Sequence, residues 1–146
     1  SMEIEKKAEL KISAKAAYDL FLEVVWPQGG GLGRPEWTKI IEKGDPVTRI
    51  GQVRRVPGGD KEKIMNTIDG TRVEYQVVQG SLIFKDHWGI VDFVDQSTAS
   101  EKKCFVKWQV KCRGMFGMGT AVKFMIDVAL TRMLAALIMA SHALEE

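Results

Sequence analysis

The chain is short of the residues on which most specialised chemistry depends. It has two histidines and two cysteines, too few for a metal site built from the usual nitrogen and sulfur ligands, and no metal or other cofactor is expected. Cys104 and Cys112 fall eight residues apart in one expected strand, about 26 Å along it, so they cannot bond to each other. Free thiols and a charged N-terminal stretch with no signal-peptide pattern point to a reducing, cytoplasmic setting. The net charge of +2 lacks the strong positive field of a dedicated nucleic-acid binder. Lys103, Lys107 and Lys111 beside Phe105 read as a solvated sheet face, and no nucleic-acid partner is expected. The glycine run at 29–33 lacks the Gly-Lys-Ser/Thr ending of a phosphate-binding loop and the spacing of a dinucleotide fingerprint. No apolar run without charge reaches the roughly 20 residues of a membrane span.

What is present is a core. Hydrophobic residues make up 45% of 146 positions, ordinary for one domain spanning 1–146. Ile4, Ala8, Leu10 and Ile12 alternate with charged residues, the period of a half-buried strand. Ser13 then reads as an N-cap before Tyr18, Phe21, Leu22 and Val25 at helical spacing, with Pro27 as the stop. Residues 28–35 read as a glycine-rich loop. Strands follow at 38–43, 52–56, 61–68, 71–79, 86–94 and 103–113, separated by Gly, Asp and Pro turns. The run 115–144 carries Val122, Ile126, Ala129, Met133, Ala136, Leu137, Ala140 and Leu144 at three- and four-residue steps, an amphipathic helix about 40 Å long and suited to lying across a sheet. The fold class is therefore α+β, a curved antiparallel sheet of about seven strands with a long C-terminal helix and one or two short helices after the first strand.

Turn geometry predicts which side chains face that helix. A two-residue turn at Asp69-Gly70 sets Ile64 opposite Tyr75, Asn66 opposite Val73 and Glu62 opposite Val77. A turn centred on Gly58-Gly59 sets Arg55 opposite Glu62 and Val53 opposite Ile64. The inner face then holds Arg55, Glu62, Asn66 and Tyr75, while Gln52, Arg54 and Thr67 face water. If Val91 pairs with Val106, Gly89 lies opposite Trp108 and makes room for its indole, with His87 on the same face. So many polar groups inside a sheet suggest a cavity, because a buried polar group costs free energy unless partnered. The competing readings are an Arg55–Glu62 ion pair, core aromatics with satisfied polar tips for Tyr75 and Trp108, and a structural or ligand-contact histidine rather than an acid/base. A ligand cavity of this kind is expected to exceed about 300 Å³. Outward Trp88, Ile90 and Phe105 offer a surface for a homodimer.

The order of an opening strand and the segment 13–21, Pro35-Glu36-Trp37, Gly51-Gln52-Val53-Arg54-Arg55, Tyr75-Gln76-Val77-Val78, His87-Trp88-Gly89-Ile90-Val91, Val106-Lys107-Trp108 and a long last helix resembles the START-like helix-grip superfamily, SRPBCC, in its polyketide cyclase/dehydrase and lipid-transport branch. The resemblance implies a sheet gripping the last helix over an apolar cavity. It also implies either a carrier or sensor of a hydrophobic or amphipathic molecule or a cyclase- or dehydratase-type enzyme, with a filled-core interaction module as a third reading. The expected contacts are Arg55, Glu62, Asn66 and Trp108. Phe116, Met118, Val122 and Met125 form an adaptable rim at the entry of the last helix, and His87 and Tyr75 are the proton-moving candidates if the protein is an enzyme. The sequence departs from the family where a second short helix is common, at 28–35, and where His87 replaces a frequent aromatic.

Overall fold

The computed structural model describes residues 1–26, 38–56 and 58–145; the 28–35 segment, with the short helix that the resemblance places there, lies outside these. The element order is β1 (Met2–Leu10), α1 (Ala14–Val24), β2 (Lys39–Glu42), β3 (Val53–Arg55), β4 (Lys61–Ile68), β5 (Arg72–Gln79), β6 (Phe84–Asp95), β7 (Cys104–Gly114) and α2 (Gly119–Ser141), ending in a short 3-10 turn at His142–Leu144. The strands form one sheet in the order β1-β7-β6-β5-β4-β3-β2, with every neighbouring pair antiparallel. This is the expected α+β helix-grip architecture.

Each helix is placed by local chemistry. Ser13 caps α1, its Oγ accepting from the Ala16 N–H at 3.2 Å, which satisfies one of the unpaired donors of the first turn. Ala17, Tyr18 and Phe21 then bury against the sheet. Sequence placed the last helix at 115–144, but α2 begins only at Gly119. Phe116 and Gly117 stand at φ 55° and 71°, left-handed values that a right-handed helix does not contain. The buried stripe of α2 is Val122, Leu130, Leu134, Leu137 and Ser141, with Ile126 and Met133 partly covered. Ala129 and Ala136, placed on that stripe by spacing, face solvent. In a helix this apolar, pattern alone does not choose between two neighbouring stripes.

The core is an aromatic cluster between α1 and the middle of the sheet. Phe21 packs edge-to-face on Trp108 and Phe93 at 5.3 and 5.5 Å between ring centres, and Tyr75 on Trp26 and Trp108 at 5.6 and 6.2 Å. Such pairs contribute about 0.5–1.5 kcal/mol each beyond the area they bury. The two cysteines are free and buried, and burial pushes the Cys104 thiol up to about 11, which leaves it protonated and unreactive at neutral pH.

Candidate functional site

The site forms where β3, β4, β5 and β6 bring polar side chains against the end of α1. The β3–β4 hairpin is centred on Gly58 alone, since the Val56 N–H donates to the Asp60 carbonyl, and its register pairs Arg54 with Glu62 and Arg55 with Lys61. Arg54, not Arg55, therefore turns inward. Its Nε and a terminal nitrogen reach Glu62 Oε1 at 2.8 and 2.7 Å, its guanidinium lies 4.0 Å from the centre of the Trp26 ring, and its Nη1 donates to the Val25 carbonyl. Arg49 Nη1 donates to the Trp26 carbonyl at 2.7 Å, and Gln52 Nε2 reaches the same oxygen at 3.4 Å. Three side chains thus satisfy the carbonyls that α1 leaves unpaired at its C-terminal end, where positive charge is also favoured by the helix dipole.

That capping accounts for much of the interior polarity that sequence assigned to a cavity. Gln52 and Arg54, expected on the solvent face, are buried, while Arg55 is exposed. The missed signal was the end of α1 itself. Val24-Val25-Trp26 offers no glycine to close the helix, so its carbonyls required donors from elsewhere. Asn66 also moves outward. The register shift between Ile64 and Asn66 pairs Asn66 with Glu74, to which its Nδ2 donates at 3.2 Å, and sets Thr67 opposite Val73. Thr67 donates instead to the Thr48 carbonyl at 2.9 Å.

Tyr75, Trp108 and His87 do come together. Trp108 Nε1 donates to the Tyr75 hydroxyl at 2.9 Å, and the rings of Tyr75 and His87 are 5.4 Å apart. The strand glycine serves a different ring from the one expected. Val91 pairs with Trp108, Gly89 with Val110 on one side and Tyr75 on the other, and a Cβ at Gly89 would fall 2.3 Å from the Tyr75 ring. Burial and the nearby Glu62 raise the Tyr75 hydroxyl well above its ordinary range, so it stays protonated.

His87 owes its position to a bulge. Asp86 takes φ 56° and the β6–β7 register shifts between Lys85 and Trp88, so Phe84 and His87, three residues apart, both face inward. His87 Nδ1 accepts the Val77 N–H at 3.2 Å. A nitrogen that accepts carries no proton, so the neutral ring holds its proton on Nε2. Burial lowers the pKa of His87, opposed in part by Glu62, and favours this neutral donor form. His87 lines a pocket of about 250 Å³ together with Val77, Gly80, Ser81, Phe84 and Lys85. Tyr75, Trp108 and Arg54 do not line it. A larger pocket of about 420 Å³ lies at the other end of the sheet, between Lys11, Ser13, Thr98, Lys102 and Leu144, and none of the site residues expected from sequence lines it. Neither of these two pockets is lined by Tyr75, Trp108 or Arg54, and the space between α1 and the middle of the sheet is packed with rings.

Of the expected rim on the last helix, Val122 is fully buried against Phe84 and Cys112, whereas Phe116, Met118 and Met125 face solvent. The rim collapses because the helix starts four residues later than its apolar run. On the opposite sheet face Trp88, Ile90 and Phe105 are each half-buried. No three His, Cys, Asp or Glu side chains converge as a metal site among the described residues.

A long core helix held by a seven-stranded antiparallel sheet, with a short helix after the first strand, defines the helix-grip class of fold. No protein-family model matches this chain, and no curated protein matches it by sequence. Solved structures do match in shape. A START superfamily protein from Mycobacterium smegmatis superposes with a TM-score of 0.73 at 12% identity, over 99% of each chain. Norcoclaurine synthase from Thalictrum flavum, in complex with dopamine and hydroxybenzaldehyde, gives 0.73 at 15% identity over 98% of this chain and 86% of that one. The protein XoxI from Bacillus cereus gives 0.71 at 16% identity over 100% and 99%. The fold is thus that of the START-like helix-grip proteins.

Proposed function

We propose that the chain binds a small amphipathic molecule at the His87 end of the sheet, with a ligand oxygen accepting a hydrogen bond from the imidazole. The observation that carries this reading is the fixed state of His87: it is buried, neutral by environment, held through Nδ1 by Val77, and set in a pocket wall beside apolar Val77 and Phe84. An Nε2–H suits a carbonyl, carboxylate or phenolic oxygen, and apolar walls with one oriented polar group are the usual construction of a small-molecule site. The pocket volume favours a ligand, or a ligand part, the size of a single ring rather than a long acyl chain or a polyketide. Carriage or sensing is favoured over proton-transfer catalysis. A general base at Nε2 needs a free lone pair there, which this tautomer lacks, and Tyr75 is outside the pocket with its hydroxyl held by Trp108. The START-like fold supports ligand binding only as analogy.

The filled aromatic centre supports a second reading, an interaction module without a ligand. Native mass spectrometry of the purified protein, followed by NMR titration with a panel of phenols, aromatic aldehydes and short fatty acids, separates the two. Binding predicts a co-purifying mass or ligand-dependent shifts confined to residues 77–87, with at least about tenfold weaker affinity in His87→Ala. No bound mass and no shift across the panel would leave the interaction module as the better account.

A further inference from the structure

Two connections meet at the same end of the sheet. The Met115 N–H donates to the Ile83 carbonyl at 2.8 Å, which ties the turn before α2 to the loop before β6. Each projects one large apolar side chain into water: Leu82 is 82% exposed and Phe116 84%. Folding gives no reason for Phe116. Its φ of 55° lies in the left-handed region, which disfavours a bulky residue by about 1–2 kcal/mol and is better filled by Gly, Asn or Asp, and its ring gains no burial in return. Met118, Phe124 and Met125 extend the exposed apolar surface along the first turns of α2.

Three basic residues flank these connections, with Asp60 against Gly80 on the side of the first. Lys85 follows the first connection, Arg113 precedes the second and is paired with Lys85 in the sheet register, and Lys123 is the fifth residue of α2. Their acidic neighbour Asp86 is held by Arg113 at 3.4 Å, and Asp127 by Lys6 at 2.9 Å. No carboxylate lies within ion-pair distance of Lys85 or Lys123 among the described residues. We propose that this end, with Leu82 and Phe116 as inserting tips and Lys85, Arg113 and Lys123 as the charged collar, docks on the surface of an anionic lipid bilayer. Apolar tips ringed by basic side chains match the two layers of such a surface, acyl chains below and anionic headgroups above. A second copy of this chain is a poorer occupant, because a two-fold contact through the same patch would bring the same three cations together. Ser81, Phe84 and Lys85 also line the His87 pocket, so docking would bring its mouth to the lipid. The proposal goes beyond ligand binding and does not depend on it.

The test is co-sedimentation with vesicles of phosphatidylcholine containing about one-third phosphatidylglycerol, against phosphatidylcholine alone. The wild-type chain is expected to pellet with the anionic vesicles, less so as salt is raised. Leu82→Asp with Phe116→Asp, and separately Lys85→Glu with Lys123→Glu, should each weaken binding at least about tenfold. All four positions are exposed and aspartate tolerates a left-handed φ, so neither pair should lower the circular dichroism melting temperature; should either pair fail to fold, the other carries the test. A wild-type chain that stays in the supernatant with anionic vesicles overturns the proposal. So does binding that neither pair alters, or a dimer in sedimentation velocity that Phe116→Asp dissociates.

Discussion

Adjacent residues of the same type can have opposite fates, and Arg54 and Arg55 show the margin. Sequence offers an Arg55–Glu62 ion pair as the alternative to a ligand role for both, and the structure contains an arginine–Glu62 pair, made by Arg54. The wrong arginine was chosen because a turn centred on Gly58-Gly59 and one centred on Gly58 differ by one residue, and in a strand one residue exchanges the two faces. The energetic consequence is large. Arg54→Ala leaves Glu62 partly buried without its partner and the Val25 carbonyl without its donor, and should cost about 3–5 kcal/mol, read as a lower urea midpoint. Arg55→Ala, at an exposed position, should stay within about 0.5 kcal/mol of wild type. Gly89 was likewise recognised as a glycine that makes room for a ring, with the wrong ring named. Gly89→Ala must push Tyr75 off Trp108, and a loss of about 1–3 kcal/mol is expected, together with a changed near-ultraviolet dichroism from the displaced aromatics.

Elements were more legible than their faces. The strands of the sheet and both helices were placed by periodicity within a few residues, since alternation and helical spacing are local properties of the chain. What periodicity does not contain is the irregularity that redirects side chains: the register shift that turned Asn66 out, the bulge at Asp86 that turned both Phe84 and His87 in, and the left-handed pair at Phe116 and Gly117 that delayed α2. The last helix is the clearest case, because its two candidate stripes are both apolar. Leu134→Ala, on the stripe the structure buries, should cost about 2–5 kcal/mol in chemical denaturation. Met125→Ala, on the stripe facing out, should stay within about 0.5 kcal/mol. Equal losses at the two positions would mean that the outer stripe is covered in solution.

At the scale of the molecule, His87 couples the polar cluster to pH. Its pKa is lowered in the folded chain from an ordinary 6.5, so between the folded value and 6.5 the unfolded chain binds the extra proton. Stability therefore rises with pH through that window, and the contribution, intact above 6.5, is lost as pH falls. The slope from this one residue is at most about 1.4 kcal/mol per pH unit. Urea midpoints between pH 7.5 and about 5 should fall less steeply in His87→Asn than in wild type; parallel curves would show that the imidazole titrates freely. This coupling was invisible in the sequence, because the Val77 N–H that holds Nδ1 lies ten residues from His87 and becomes its neighbour only across two paired strands.

The sheet order also bears on how the molecule comes to exist. β1 lies beside β7, so Ile4 pairs with Val110 and Leu10 with Cys104. β1 thus waits for β7, the last strand of the sheet, and the hairpins joining β2 through β6 can form before it has a partner. Contacts of such long sequence separation slow folding. Until residue 112 has emerged the alternating apolar face of β1 stands open as an unpaired strand, surface of the kind that chaperones cover in partly folded chains.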